Sequence, residues 1–230
     1  MPSHNIALSD REILVRVRRS AAARRMSLRV DPASETVLLV LPQGVAVVEG
    51  LGFVRAKNEW ILARLAALPP RRVFADGAML PLFGQDHRIC HTPEARRGVW
   101  VENGIIHVSG RIEYLPRRLG DWLKREAHRT LADRAHRFAQ CLEHPCGRIS
   151  VRDSRSRWGS CSARGDLSFS WRLVFAPAAV ADYVAAHEVA HLIELNHSPA
   201  FWRVGARLVD NVAEARIWLR RNGPMLHRYG

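Results

Sequence analysis

The hydrophobic pattern changes period near residue 116, and that change limits the fold more than any other feature of the chain. Before it, apolar residues alternate with polar ones: Ile13, Val15 and Val17 do so, and Met26, Leu28 and Val30 repeat the pattern. Such alternation puts one face of a strand in a core and the other in water. Asp31-Pro32 makes a turn, and TVLLVLP reads as a buried strand ended by Pro42. One helix interrupts over 53–68, with Trp60, Ile61, Leu65 and Leu68 as its apolar stripe and Pro69-Pro70 as its stop. WVE and IIHV flank Asn103-Gly104, which predicts a tight hairpin because both turn residues tolerate positive φ.

After the change, Leu119, Trp122, Leu123, Leu131, Ala135, Phe138 and Leu142 recur at helical spacing. They predict a long amphipathic helix with an arginine-rich outer face, ended by Pro145 and Gly147. Short β segments follow, RISVRD and LSFSWRLVF, joined by the polar stretch SRSRWGSCSARG. DLSFSWRLVF is expected to form an edge strand that could receive an extended peptide, or else an ordinary sheet strand. Pro177 sits where a helix needs no amide donor, and that helix is expected to reach about Leu195. Ser198-Pro199 reads as the cap and first residue of another, and a final helix covers about 212–221. The expectation is an α+β protein: a β-rich N-terminal region with one helix over 1–115, then a second domain over 116–230. Trp60, Trp122 and Trp218 fall on apolar helix faces and are expected in the core.

Composition narrows the class. With 47% hydrophobic and 25% charged residues, the chain is neither disordered nor fibrous. No run approaches the roughly 20 apolar residues of a membrane-spanning helix. MPSHNIALSDREILVRVRRS lacks the apolar centre of a secretory signal. Four cysteines, none in a C-x-x-C pair, read as reduced thiols in a cytoplasm. The formal charge of +13 favours polyanions. However, only Lys57 and Lys124 are lysines, so the excess is arginine and equally fits a coding bias.

The segment HEVAHLIELNHSPAFW, residues 187–202, carries the chemistry. His187 and His191 stand one turn apart on one helix face, where two imidazoles can converge on one zinc ion. Glu188, rotated by about 100°, reaches a water in the open position without ligating the ion. With 11 histidines in 230 residues, the H-E-x-x-H pattern would arise by chance about 0.03 times. A solvated helix face in this chain should carry arginine. Between Arg172 and Arg203 there is none, while Asp182, Glu188 and Glu194 are present. Negative charge with neutral imidazoles suits a bound cation.

A third ligand is needed. His197 comes first, provided the chain turns after Leu195, which Asn196 would allow by adopting a left-handed conformation. Asp210 and Glu214 are rivals, as carboxylates further along the chain. Cys161 is read as structural.

The stretch from Ile149 to Leu219 resembles the YgjP-like metallopeptidases, bacterial and archaeal zincins related to the SprT-like proteases. The resemblance rests on RDSRSRWGSCSARGDLSFSWRL, DYVAAHEVAHLIELNHSPAFW and RIWLRRNG, and more weakly on RRMSLRV, KNEWI and the Gly84 region. It implies a zincin-like fold with the active-site helix under a small sheet. It also implies His187, His191 and His197 as zinc ligands and Glu188 as the catalytic residue. It places Arg157 near the site. Arg157, and Tyr183 one turn before His187, are candidate stabilisers of the transition state.

The leading expectation is therefore a zinc-dependent peptidase acting on peptide or protein, with no membrane contact. The competing one is a nucleic-acid-associated binding protein that uses its basic surface, with proteolysis of DNA-bound protein as a way of joining the two.

Overall fold

The alternating segments near the N-terminus build a four-stranded sheet in the computed structural model, which describes residues 2–230. The strands are β1 (Ser3–Leu8), β2 (Arg11–Arg19), β3 (Ser27–Asp31) and β4 (Thr36–Leu41), in the order β1-β2-β4-β3. β2 and β4 are parallel; the outer pairs are antiparallel. Ile13, Val15 and Val17 of β2 share one buried face with Val37, Leu39 and Leu41 of β4. The apolar residues that complete this core come from α1 (Val47–Ala56) and α2 (Asn58–Ala66) as Val54, Ile61 and Leu65.

The single helix expected over 53–68 is thus two, separated at Lys57, whose φ of −104° and ψ of 20° leave helical geometry. Trp60, expected in the core, is 41% exposed. Ile61 and Leu65 take the inward face, and the ring of Trp60 lies outside under the guanidinium of Arg64. β1 had too little alternation of its own to be read, and its register on β2 supplies what the sequence lacks.

Close packing divides the chain at Pro70–Arg71. This differs from the seam expected at 115–116, for a physical reason. The second set of strands, β5 (Met79–Leu82), β6 (Gln85–His91), β7 (Val99–Glu102) and β8 (Ile105–Val108), shares its core with the long helix α3 (Leu115–Cys141). Leu80, Ile89, Ile106 and Val108 belong to the same buried cluster as Leu119, Leu123 and Leu131. The sheet order is β5-β6-β8-β7, and the β7–β8 turn has Asn103 at φ 50° and Gly104 at φ 73°, both in the left-handed region.

A three-stranded sheet follows, made of β9 (Ile149–Arg152), β10 (Gly159–Cys161) and β11 (Leu167–Ser170) in the order β10-β11-β9. The expected edge strand, β11, is therefore the central one: it pairs antiparallel with β10 and parallel with β9. The edges are β9 and β10. Trp171–Phe175 continues as a buried 3₁₀ turn rather than as strand. Three helices complete the unit: α4 (Ala178–Ala190), α5 (Pro199–Ala206) and α6 (Val212–Leu226), the last extending past its expected end. α4 is buried on nearly every side, and its alanines let α3 and the small sheet approach closely. Among the described residues, no helix is long and apolar enough to cross a membrane.

Candidate metal centre

His187 lies in the last turn of α4, and His191 is the residue at which that helix stops. The helix ends five residues earlier than expected. Its last carbonyls are taken up by a tight turn: Leu192 N–H donates to Val189, and Glu194 N–H to Ala190. The turn also orients His191, whose Nδ1 lies 2.9 Å from the carbonyl oxygen of Glu194. A carbonyl only accepts, so Nδ1 carries the hydrogen and Nε2 keeps its lone pair.

Asn196 works differently from the expectation. It is not among the residues with positive φ; instead its side-chain oxygen accepts the N–H of Ser198 at 3.0 Å. Ser198 then caps α5, its hydroxyl accepting from Phe201 N–H at 3.3 Å. These two local bonds swing His197 back towards α4.

The result is a convergent trio. One nitrogen from each of His187, His191 and His197 lies within 4.8 Å of the others, the three forming a candidate metal group. The Nε2 atoms of His187 and His197 are 3.0 Å apart. Two nitrogens on a tetrahedral ion at about 2.0–2.1 Å would stand ~3.3 Å apart, so the rings are already near that geometry. Asp210 and Glu214, the sequence rivals, are exposed and lie outside this group.

Phe201 of α5 forms the floor. Its buried ring lies 4.9, 4.5 and 4.8 Å from the rings of His187, His191 and His197. Burial pushes the His187 imidazole down to about 4, helped by the charges of His191, His197 and Arg216. Burial lowers His191 as well, against the opposing bond to Glu194. Both rings are therefore neutral at pH 7, the state in which imidazole ligates a metal. The donor set, its spacing and its protonation fit a zinc-type cation.

Glu188, the next residue on α4, packs against β10. It is 6% exposed, and burial raises its carboxyl to about 7, with Arg157 pulling the other way. Gly159 on β10 makes room for it: a Cβ there would lie 2.5 Å from Glu188 Oε1. Tyr183, one turn before His187, has its ring 5.8 Å from that imidazole, and burial keeps its phenol protonated. Cys161 is pushed up to about 11 by burial and by the charges of Glu188 and Asp166, which keeps it a thiol at pH 7.

The sequence reading named every imidazole here but missed three neighbours. Phe201 and Gly159 show their roles only through packing. Arg216 of α6 lies over the Trp202 ring at 5.4 Å and acts electrostatically on His187 and Tyr183. The Ser-Pro cap fixes the phase of α5, so Phe201 was the one that could have been found.

Three imidazoles gathered at the end of a helix that also carries a buried carboxylate, with that helix packed under a small sheet, suit a metallopeptidase. The model of the YgjP-like metallopeptidase domain matches residues 24–222, and the chain belongs to that family. No curated protein matches it. Among solved structures, the metallopeptidase zymogen of Pyrococcus abyssi abylysin is similar over 39% of this chain and 93% of its own. The two share 19% identity with a TM-score of 0.36.

Proposed function

We propose that the chain is a zinc-dependent peptidase in which His187, His191 and His197 hold the ion and Glu188 moves the proton. The observation that carries this reading is the imidazole trio within 4.8 Å, gathered at the end of the helix that also presents the buried Glu188. When bound, zinc polarises the scissile carbonyl and lowers the pKa of its water to about 7.

The chain supplies the rest. Glu188 accepts a proton from the attacking water and delivers it to the leaving amine. Its burial keeps its proton affinity high enough for both steps, and Gly159 fixes where it stands. β10, an edge strand, offers unpaired backbone groups to an extended peptide, beside the carboxylate rather than at a distance from it. Tyr183, a protonated phenol, and Arg157, a nearby cation, are the candidate donors to the oxygen that gains charge in the transition state. Four free thiols fit a reducing compartment, and we place the enzyme in the cytoplasm on that basis.

Elemental analysis of the purified protein tests the reading together with hydrolysis of an unfolded protein. One zinc per chain, lost in His191→Ala, is expected. Hydrolysis by Glu188→Gln at the wild-type rate would remove Glu188 from the mechanism.

A further inference from the structure

The outward face of the small sheet carries a pattern that peptide hydrolysis does not use. Its inward positions are Ile149 and Val151 on β9, Leu167 and Phe169 on β11, and Gly159 and Cys161 on β10. The alternate positions within the strands hold only serine and arginine. Register places Ser150, Ser168 and Ser160 side by side in one row across the three strands. The next row holds Arg152 and Ser170.

Short side chains keep this floor low, and a cleft of about 680 Å³ lies over it. Seven serines line the cleft, half of the fourteen in the chain, so hydroxyl groups are concentrated here far beyond their share. Arg148, Arg152 and Arg157 also line it. The cleft's two acids already accept hydrogen bonds from the chain. Asp153 accepts from Arg172 at 2.8 Å, and Asp166 accepts the backbone N–H of Arg148 at 2.9 Å. A second, independent sign is Ser170. It is 1% exposed, it lines the cleft, and its hydroxyl has no hydrogen-bond partner among the described residues. Buried hydroxyls are ordinarily paired, so this one calls for a partner from outside the chain.

We propose that the cleft is a binding site for a linear oligophosphate. Guanidinium groups match phosphate oxygens in a two-pronged geometry, and hydroxyls donate to the same oxygens. Arg148 and Arg152 are four residues apart along an extended strand, about 13 Å, too far for one phosphate and suited to a series. The volume is that of a small-ligand site. Nothing in the lining stacks a base: Leu167 and Phe169 are turned into the core, and the Trp158 ring is stacked on His227 at 5.1 Å. Phosphate chemistry without an aromatic platform favours an oligophosphate over single-stranded nucleic acid. The cleft shares Arg157 and β10 with the proposed peptidase site, so the test below rests on Arg148 and Arg152, which that reading does not use.

Calorimetric titration with tripolyphosphate tests it. Saturable 1:1 binding is expected, weakened at least tenfold in Arg148→Gln/Arg152→Gln. It should stay within twofold in Arg220→Gln/Arg221→Gln, which removes the same charge from α6. Ser168→Val keeps every charge but raises the floor, and should weaken binding several-fold. If that variant fails to fold by circular dichroism, Ser150→Val on the edge strand replaces it. Equal weakening by the two arginine pairs would reduce the effect to diffuse attraction and overturn the site. So would unchanged affinity in the valine variant, absence of saturable binding, or saturable binding of a single-stranded oligonucleotide with none of tripolyphosphate.

Discussion

Glu188 stands against the bare backbone of Gly159, so close that the smallest side chain at that position would meet both its Cγ and its Oε1 at 2.5 Å. Gly159→Ala must therefore push the carboxylate aside while leaving the imidazoles alone. A displacement of about 1 Å can cost about 10²-fold in rate. The expected outcome is a loss of that order in kcat/KM with zinc content unchanged. Loss of zinc along with activity would mean that the substitution disturbs α4 as a whole.

Glu188→Gln removes the proposed proton carrier but keeps the shape of the side chain. Hydrolysis should fall by about 10²–10⁴-fold, the usual worth of a positioned acid–base group. Bound zinc should stay at one per chain, since the glutamate is not in the imidazole group.

The three histidines should behave as one set. His187→Ala, His191→Ala and His197→Ala are each expected to abolish stoichiometric zinc binding, whereas Asp210→Asn and Glu214→Gln should leave it intact. Zinc retained in His197→Ala but lost in Glu214→Gln would make the carboxylate the third ligand.

Phe201 touches all three imidazole rings from below. Phe201→Leu keeps the floor apolar but narrows it, so zinc affinity should fall by about tenfold, the lower end for residues that orient metal ligands. Competition with a chelating dye would measure this. Phe201→Ala should also lower stability by about 3–5 kcal/mol, as truncation of a fully buried phenylalanine does.

Acid stability should report on Asp153. Burial alone would raise its carboxyl, but the hydrogen bond and charge of Arg172 outweigh that and hold it below the ordinary 3.8. A carboxyl depressed on folding stabilises the protein above its unfolded value and ceases to do so as pH falls through its folded one. The loss is therefore expected below about pH 4. Asp153→Asn should flatten the melting temperature in that window while lowering it at pH 7, because buried Arg172 loses its counter-charge.

Local chemistry made part of this protein legible in the sequence. Helical spacing put His187 and His191 on one face, the Ser198-Pro199 cap started α5 where expected, and Asn103-Gly104 closed its hairpin. Each of these is decided within about one turn or one loop by propensity, capping and spacing. The long stripe of α3 was equally plain, because its period persists over 27 residues.

What tertiary structure alone decided is which distant segments meet. Nothing in Gly159 announces that it lies under Glu188, and nothing in Trp60 says that its neighbour Ile61 will take the inward face. The order β10-β11-β9 turned the expected edge strand into the central one, and a shared core joined the second set of strands to α3. Strand pairing and core membership depend on contacts between residues far apart in the chain, and a pattern read along the chain carries no record of them.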